Sequence, residues 1–495
     1  MINIVIVTMV YTSFGHSQIS TVISSHLSKN LGHEVTIDIE DMSLTPSHLA
    51  ATFLVNGALK TEVKGFWSPL DGRYDVSYHV TGKSIVFDEI NVEDDIDISG
   101  TFDGTMDEYI ADGKGTALEG KVDFSLHHDS EYERDVKVKL EEVSTEKSFL
   151  LAGKKGLFAG KYSLNVDVPL FSEYERRGDI GIEIHHGGVY LRRIKEQFGI
   201  QLPNDFMLQG TGHIHLSDGQ HTFDAKMQSK VLDFTVKEGT FTEANKKIRG
   251  LYNLDVHDLS KIQIVNIKGF AGVFSAEGEF EHIDALRFDG KSHSLEGEIN
   301  YYFDKGKLNA KIQEASLAKL FYTMHYPVLM IGVIEGKIDY DMSDKIALIN
   351  INTKNARFQN SSAIQKIYTA SGIDFSKEVF SNTFFASSIE EGIVSFDFKA
   401  ESNTGYVTLF NTKMDSINNS ISSDFDLKLQ GEELSGEIHG SLKSPKVKLN
   451  IGKYLEFKAK KELDAFFGMG TSDKVKDKLK DVDTEKVKGF FKGFF

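Results

Sequence analysis

A glycine-containing alternation of apolar and polar residues recurs along the middle of the chain, between about Glu34 and Leu449. In each copy an apolar residue, a spacer and a glycine come first, and apolar residues then occupy every second position. The copies begin at Leu118, Leu208, Ile248, Leu295, Ile334 and Leu434. Period two gives a strand one apolar and one polar face, which predicts an antiparallel sheet with one wet side. Glycine inside such strands lets the sheet bend.

A longer repeat places short helices between the strands. Tyr190–Leu216 and Leu317–Tyr340 each read as a helix, a proline and a glycine-containing strand, and Ser362–Phe380 predicts a third helix. We therefore predict a mainly β protein, in which an elongated, curved antiparallel sheet forms a groove or trough with a few short helices and amphipathic helices at both ends. Two packed sheets that bury their apolar faces on each other are the alternative, and periodicity does not choose between them.

Charge is unevenly distributed along the 495 residues, whose net charge is −17. Gly440–Phe495 contains 14 lysines against eight acidic residues, a net +6, so the rest of the chain carries −23. An acidic body repels nucleic acid, and we predict no nucleic-acid partner. A basic end on an acidic body indicates an anionic surface or an acidic partner.

The first 32 residues predict a membrane attachment. Met1–Tyr11 is almost wholly apolar but shorter than the roughly 20 residues that span a bilayer. We interpret it as the outer half of an anchor whose beginning is missing, followed by an amphipathic helix that ends at Gly32. A buried β-strand is the alternative. The predicted membrane-contacting residues are Ile2, Ile4, Val5 and Val7.

Residues 450–495 predict basic amphipathic helices beyond the repetitive β body, residues 33–449. Apolar residues recur at three- and four-residue steps in Gly452–Phe467, and lysines lie largely elsewhere. Such a helix either caps the last strand or lies in a membrane interface. The predicted membrane-contacting residues of this helix are Tyr454, Leu455, Phe466 and Phe467, and those near the C-terminus are Phe490 and Phe491.

Both ends and the repeat resemble the AsmA/TamB-like family of bacterial envelope proteins. Residues 360–449 resemble that family's C-terminal module, which includes a G-x-L-x-x-P-x-V step at Gly440, Leu442, Pro445 and Val447. The resemblance implies a protein of outer-membrane biogenesis at the periplasmic side of the inner membrane of a Gram-negative bacterium. It implies an N-terminal inner-membrane anchor and a C-terminus that meets the outer membrane or an envelope protein.

The resemblance also implies that phospholipids are the partner, their acyl chains binding in or travelling along an apolar β-groove between the two membranes. The residues that we place on its lining are Val122, Phe124, Ile214, Leu216, Ile299, Tyr301, Phe303, Ile338, Tyr340, Phe396 and Phe398. Acyl chains need a continuous dry lining and no chemistry, since each buried methylene gains about 0.8 kcal/mol.

Ordinary core between two sheets is the alternative for these residues. A structural or adhesive β-repeat surface protein with a closed core is the competing function, and a carbohydrate-active β-protein is the third.

Motifs that carry chemistry are weak in this chain. There is no cysteine, and no P-loop or nucleophile-elbow motif occurs. Asp95-Ile-Asp97-Ile-Ser99-Gly100 imitates the start of a calcium loop, but position twelve is Met106 instead of glutamate. His213 and His215, near Asp218 and His221, have a spacing that zinc can use, yet no further ligand set follows. We predict no enzyme, no cofactor and no metal.

Overall fold

The computed structural model describes residues 35–450, 452–453, 457 and 459, apart from positions 69, 88–89, 106, 130–133, 173–174, 265–269, 327, 345, 361–363, 366–367, 370–372, 391–392, 416 and 443. Its strands form one antiparallel sheet of 26 strands that is not closed, with a separate two-stranded ladder. The predicted mainly β fold with an open antiparallel sheet and few short helices is thereby confirmed, and the strands do not form two packed sheets. Two compact units are present: Met1–Val265 with Gly272–Ser292, and Asn266–Ala271 with His293–Phe495.

The first unit contains sixteen strands of the sheet, each antiparallel to the next. They are β1 (Ile37–Leu44), β2 (His48–Val55), β3 (Leu59–Ser68), β4 (Arg73–Phe87), β5 (Ile90–Gly104), β6 (Tyr109–Ala117), β7 (Gly120–His128), β8 (Arg134–Ser144), β9 (Phe158–Phe171), β10 (Arg176–Val189), β12 (Met207–Leu216), β13 (Gln220–Ser229), β14 (Leu232–Thr242), β15 (Lys247–Val256), β17 (Phe274–His282) and β18 (Leu286–Ser292). The two-residue strands β11 (Ile200–Gln201) and β16 (Gln263–Ile264) pair with each other instead. Consecutive strands therefore build this part of the sheet without crossovers.

Two α-helices of the first unit leave the sheet at the same margin, because β8 and β10 run in the same direction. Helix α1 (Thr145–Leu151) follows β8, and its N-cap Ser144 accepts a hydrogen bond from the Lys147 amide. Helix α2 (Leu191–Phe198) follows β10 and ends at Gly199, whose φ of 66° is the left-handed conformation typical of a C-terminal glycine. Helix α1 was not predicted from the sequence, because it lacks the proline that follows α2 and α3 in the longer repeat.

The second unit contains the other ten strands, again each antiparallel to the next. They are β19 (Glu298–Asp304), β20 (Lys307–Ser316), β21 (Met330–Asp341), β22 (Ile346–Phe358), β23 (Phe380–Glu390), β24 (Ile393–Ser402), β25 (Gly405–Asp415), β26 (Ser420–Leu429), β27 (Glu432–Ser441) and β28 (Ser444–Leu449). Helix α3 (Leu317–Thr323) follows β20, as the longer repeat predicts. Within the third predicted helix the structure describes helical residues 364–365 and 368–369 and a 3₁₀ turn at Phe375–Lys377.

The repeated glycine pattern has two structural meanings. Gly210, Gly250, Gly336 and Gly436 lie inside β12, β15, β21 and β27, as predicted. In the copies that begin at Leu118 and Leu295 the prediction of a continuous strand is wrong, because these residues form turns that precede β7 and β19. Glu119 and Glu296 both have a φ of 61°, which reverses the chain just before the glycine.

Candidate functional site

One face of the sheet in the first unit is apolar from its first strand to its last. Paired residues of neighbouring strands point to the same face. A single row of paired residues crosses all sixteen strands, and none of its members is charged. This row consists of Ile39, Phe53, Thr61, Val80, Ile98, Gly115, Val122, Leu140, Leu164, Ile182, Gly212, Ala225, Val236, Tyr252, Gly278 and Gly290. At about 4.8 Å per strand, its contour is roughly 70 Å long.

The opposite face of the first unit is polar. The neighbouring row there contains Asp41, Thr52, Glu62, His79, Ser99, Lys114, Asp123, Lys139, Asn165, Gly181, His213 and Asp224. Charged side chains of this face pair with one another, as Lys139 does with Glu141. The first unit therefore has two chemically distinct faces: a hydrocarbon face, named here the apolar face, and a charged one, the polar face.

The second unit has the same division. A row of ten residues crosses all its strands and contains only apolar side chains and glycine. These residues are Ile299, Ile312, Gly336, Ile351, Phe385, Phe398, Leu409, Phe425, Gly436 and Leu449. The apolar face of each unit is thus continuous across the strands of that unit.

All eleven residues predicted to line a groove lie on the apolar face of their own unit, and the register places several side by side. In the first unit Phe124 and Ile214 share one row, with Val138, Val166 and Ile180 between them. Val122, two residues before Phe124 on β7, belongs to the row described above, and Leu216 pairs with Gly178. None of the four is buried, and Ile214 is 38% exposed.

The seven predicted lining residues of the second unit also fall into shared rows. Ile299 shares its row with Phe398, and Tyr301 shares one with Ile338 and Phe396. Phe303 and Tyr340 share a third row through Leu308. All seven are partly exposed. The ten predicted membrane-contacting residues, from Ile2 to Phe491, lie outside the described residues.

One margin of the first unit's apolar face is closed by helix α1. Lys147 of α1 reaches β5, where its Nζ lies 2.8 Å from Asp94 Oδ1, and it also lies 3.1 Å from Glu119 Oε1. Asp94 is buried among the apolar residues Val92 and Ile96, and it accepts further hydrogen bonds from the Leu118 and Glu119 amides. Burial lowers the pKa of Lys147, but the bonds to the two carboxylates outweigh it and raise that pKa. Because the Asp94 carboxylate is buried and paired in this way, we assign it a structural role.

The corresponding margin of the second unit is closed by residues 373–380. Ile373, Phe375 and Phe380 are at most 2% exposed and belong to the unit's main hydrophobic cluster, with the ring of Phe358 5.4 Å from that of Phe375. Glu378 secures this segment, as its buried carboxylate accepts hydrogen bonds from Ser402, Thr404 and Gln430. Burial alone raises the pKa of Glu378, and the three hydrogen bonds outweigh it and lower that pKa. In each unit, one margin of the apolar face is therefore covered by packed side chains.

A charged cluster lies at the opposite margin of the first unit, near the turns that join β9 to β10 and β14 to β15. Glu243 Oε1 lies 2.9 Å from His221 Nε2 and 2.9 Å from Arg176 Nη1. The hydrogen bond from His221 lowers the pKa of Glu243, burial opposes it, and the charges of Arg176 and Lys246 lower it further. This group was not predicted from the sequence, because Arg176 and Glu243 are 67 positions apart. We call Arg176, His221, Glu243 and Lys246 the margin cluster.

The calcium-like and zinc-like motifs lie in regular strands. Asp95 and Asp97 belong to the polar face of β5 and pair with Lys83 and His79. His213 and His215 lie on the polar face of β12, where His215 Nδ1 is 3.0 Å from Asp179 Oδ1, whereas His221 is in the margin cluster. The described residues contain no group of three His, Asp or Glu side chains placed to hold a metal ion.

Within the described part of the chain, no helix is both long and apolar enough to cross a membrane. No protein-family model, curated protein or solved structure matches the chain. The two apolar faces and their margins are therefore the features that bear on function.

Proposed function

We propose that this protein binds phospholipid acyl chains along its apolar faces and conducts them, as a periplasmic protein of envelope biogenesis anchored in the inner membrane. The observation that carries the proposal is the uncharged row of paired residues that crosses every strand of the first unit, matched by the ten-residue row of the second. The resemblance of residues 360–449 to the AsmA/TamB-like family supports the same setting.

The exposure of these rows supports a hydrocarbon ligand. Ile182 and Ile214 are 37% and 38% exposed on the apolar face of the first unit. Contiguous exposed apolar surface is costly in water and typically marks a binding site. An acyl chain covers such a surface at about 0.8 kcal/mol gained per buried methylene, and it has no polar group that would need a partner along the row.

The first experiment measures bound lipid. Purified full-length protein is mixed with vesicles of phosphatidylethanolamine and phosphatidylglycerol and re-isolated, and phospholipid is quantified by mass spectrometry. We compare it with the double variant Phe124→Glu/Ile214→Glu, which adds two carboxylates to one apolar row. Because burying a charge against an acyl chain costs more than 1.4 kcal/mol, bound phospholipid should fall roughly tenfold.

The matched control places the same charges on the same strands but on the polar face. Ser125→Glu/His213→Glu should retain the lipid content of the unchanged protein, and circular dichroism should show folded β structure in all three proteins. If the unchanged protein holds no more phospholipid than an unrelated β protein, the proposal is wrong, and the structural or adhesive alternative gains support.

Conduction is tested with fluorescent phospholipid in donor and acceptor vesicles, where catalytic amounts of protein should accelerate transfer.

A further inference from the structure

The two margins of the apolar face in the first unit differ in chemistry. At the margin where α1 and α2 leave the sheet, here the helix margin, Phe206, Leu208 and Val231 form a buried hydrophobic cluster against which Leu191 of α2 packs. At the other margin, here the turn margin, the same face ends in the margin cluster. The helix margin thus combines apolar cover with the buried Lys147–Asp94 pair, whereas the turn margin presents charged, partly exposed side chains.

The register places the margin cluster on the apolar side of the sheet. His221 pairs with Phe241, and Phe223, two residues further along β13, pairs with Ile214 of the apolar face. Arg176 pairs with Phe171 at the adjoining end of β10. Because paired residues share a face, the cluster directly continues the rows that we propose to bind acyl chains.

Cations outnumber anions in this cluster. Arg176, Lys246 and His221 surround the single carboxylate of Glu243, so the group carries at least one net positive charge in a chain of net charge −17. The Arg176 side chain is 42% exposed, and among the described residues its only hydrogen-bond acceptor is Glu243. A guanidinium has five N–H donors, so most of them remain for a ligand.

An aromatic ring lies beside each of the two exposed cations. Arg176 Cζ lies 5.4 Å from the centroid of the Phe171 ring, and Lys246 Nζ lies 5.9 Å from that of Phe241. Amphipathic aromatic residues also lie at the turn margin: Trp67 of β3, Tyr74 of β4 and Tyr109 of β6 belong to one row on the apolar face. Rings with polar tips beside arginine and lysine are typical of a boundary between hydrocarbon and water.

We propose that Arg176 and Lys246, positioned by Glu243 and His221, bind the phosphate of a phospholipid whose acyl chains lie on the apolar face. This inference rests on the proposed function and names the part of the ligand that the turn margin recognises. Arginine donates paired hydrogen bonds to phosphate oxygens, and lysine supplies a second positive charge. Phospholipid would then enter with its headgroup at the turn margin, because the charge of Lys147 at the helix margin is already paired with Asp94 and Glu119.

The test compares two probes that share acyl chains and differ in phosphate. Phosphatidylglycerol and diacylglycerol of the same chains, each with a fluorescent acyl group, are titrated with full-length protein. Arg176→Gln and Lys246→Gln are each measured, so that one result stands if the other variant folds poorly. Removal of one charge-assisted hydrogen bond should weaken phosphatidylglycerol binding about tenfold and leave diacylglycerol binding unchanged.

Arg177→Gln is the matched control, since Arg177 is adjacent but pairs with Glu175 and Asp218 on the polar side. It should bind both probes as the unchanged protein does. Inorganic phosphate alone should not displace the lipid at millimolar concentration, and displacement would mean a free-phosphate site and overturn the inference. The inference is also wrong if Arg176→Gln loses affinity for both probes equally, or loses affinity for neither. In both cases the proposed function still stands. If the unchanged protein binds neither probe, the proposed function itself fails.

Discussion

Lys147 of helix α1 lies 2.8 Å from Asp94 of β5, on the apolar face of the first unit. The Asp94 side chain is 2% exposed and that of Lys147 is 19% exposed. The next residue along β5, Asp95, pairs with Lys83 on the polar face, where both side chains are more than 80% exposed. Two consecutive aspartates thus form ion pairs in opposite environments, and the pairs should contribute very differently to stability.

Lys147→Met should destabilise the first unit by about 3 kcal/mol, because it leaves the Asp94 carboxylate buried beside a methyl group. Urea unfolding followed by tryptophan fluorescence and circular dichroism measures the loss. Lys83→Met is the control, and its unfolding midpoint should not change measurably, since water and salt screen an exposed pair. Equal losses in the two variants would contradict a structural role for the buried pair.

Glu378 should make the second unit sensitive to acid. Its pKa is lower in the folded chain than in the unfolded chain, where it is about 4.3. The stabilisation that it provides is therefore fully present above pH of about 4.3 and is lost as pH falls through the depressed folded pKa. Urea midpoints measured from neutral pH down to about pH 3 should fall less steeply for Glu378→Gln than for the unchanged protein.

The control for that series is Glu390→Gln, which alters an exposed glutamate of β23. Its urea midpoints should follow those of the unchanged protein at every pH. A Glu378→Gln profile parallel to that of the unchanged protein would show that the three hydrogen bonds to this carboxylate do not contribute to acid sensitivity.

Phe375→Ala should destabilise the second unit by about 3 to 5 kcal/mol, because it removes a ring that is 2% exposed and packs on Phe358. Phe384→Ala removes the same ring from the polar face of β23, where it is 48% exposed, and should cost far less. Thermal unfolding followed by circular dichroism compares the two. A similar decrease in Tm for both would mean that residues 373–380 do not close this margin.

Gly113→Ala should destabilise β6 by about 1 to 3 kcal/mol through overpacking. Gly113 is buried on the apolar face, and a Cβ there would lie 2.6 Å from Phe124 Cζ and would clash with the hydroxyl of Tyr78. Gly188→Ala in β10 is the control, because its Cβ would meet no atom closer than 3.9 Å. Phe124→Leu should partly restore the stability of Gly113→Ala, as measured by urea unfolding, and no restoration would contradict the steric explanation.

Much of the fold followed from local pattern. Alternation predicts which residues of a strand share a face, and all eleven predicted lining residues lie on the apolar face of their unit. Helices α2 and α3 were predicted because each separates strands with a recognisable period. The turns at Leu118 and Leu295 were missed, since a positive φ at a glutamate leaves no mark in an alternating pattern.

The sequence by itself determined which face of each strand is apolar and which is polar, because side chains alternate between faces whatever the neighbouring strand is. Only the tertiary structure decided that these strands form one open sheet, since a row of paired residues exists only after each register is set. It also decided the charged contacts. Asp94 and Lys147 are 53 positions apart, and Arg176 and Glu243 are 67 apart, so hairpin pairing and a helix that folds back across the sheet bring them together. Such contacts depend on the path of the chain in space, which no local period encodes.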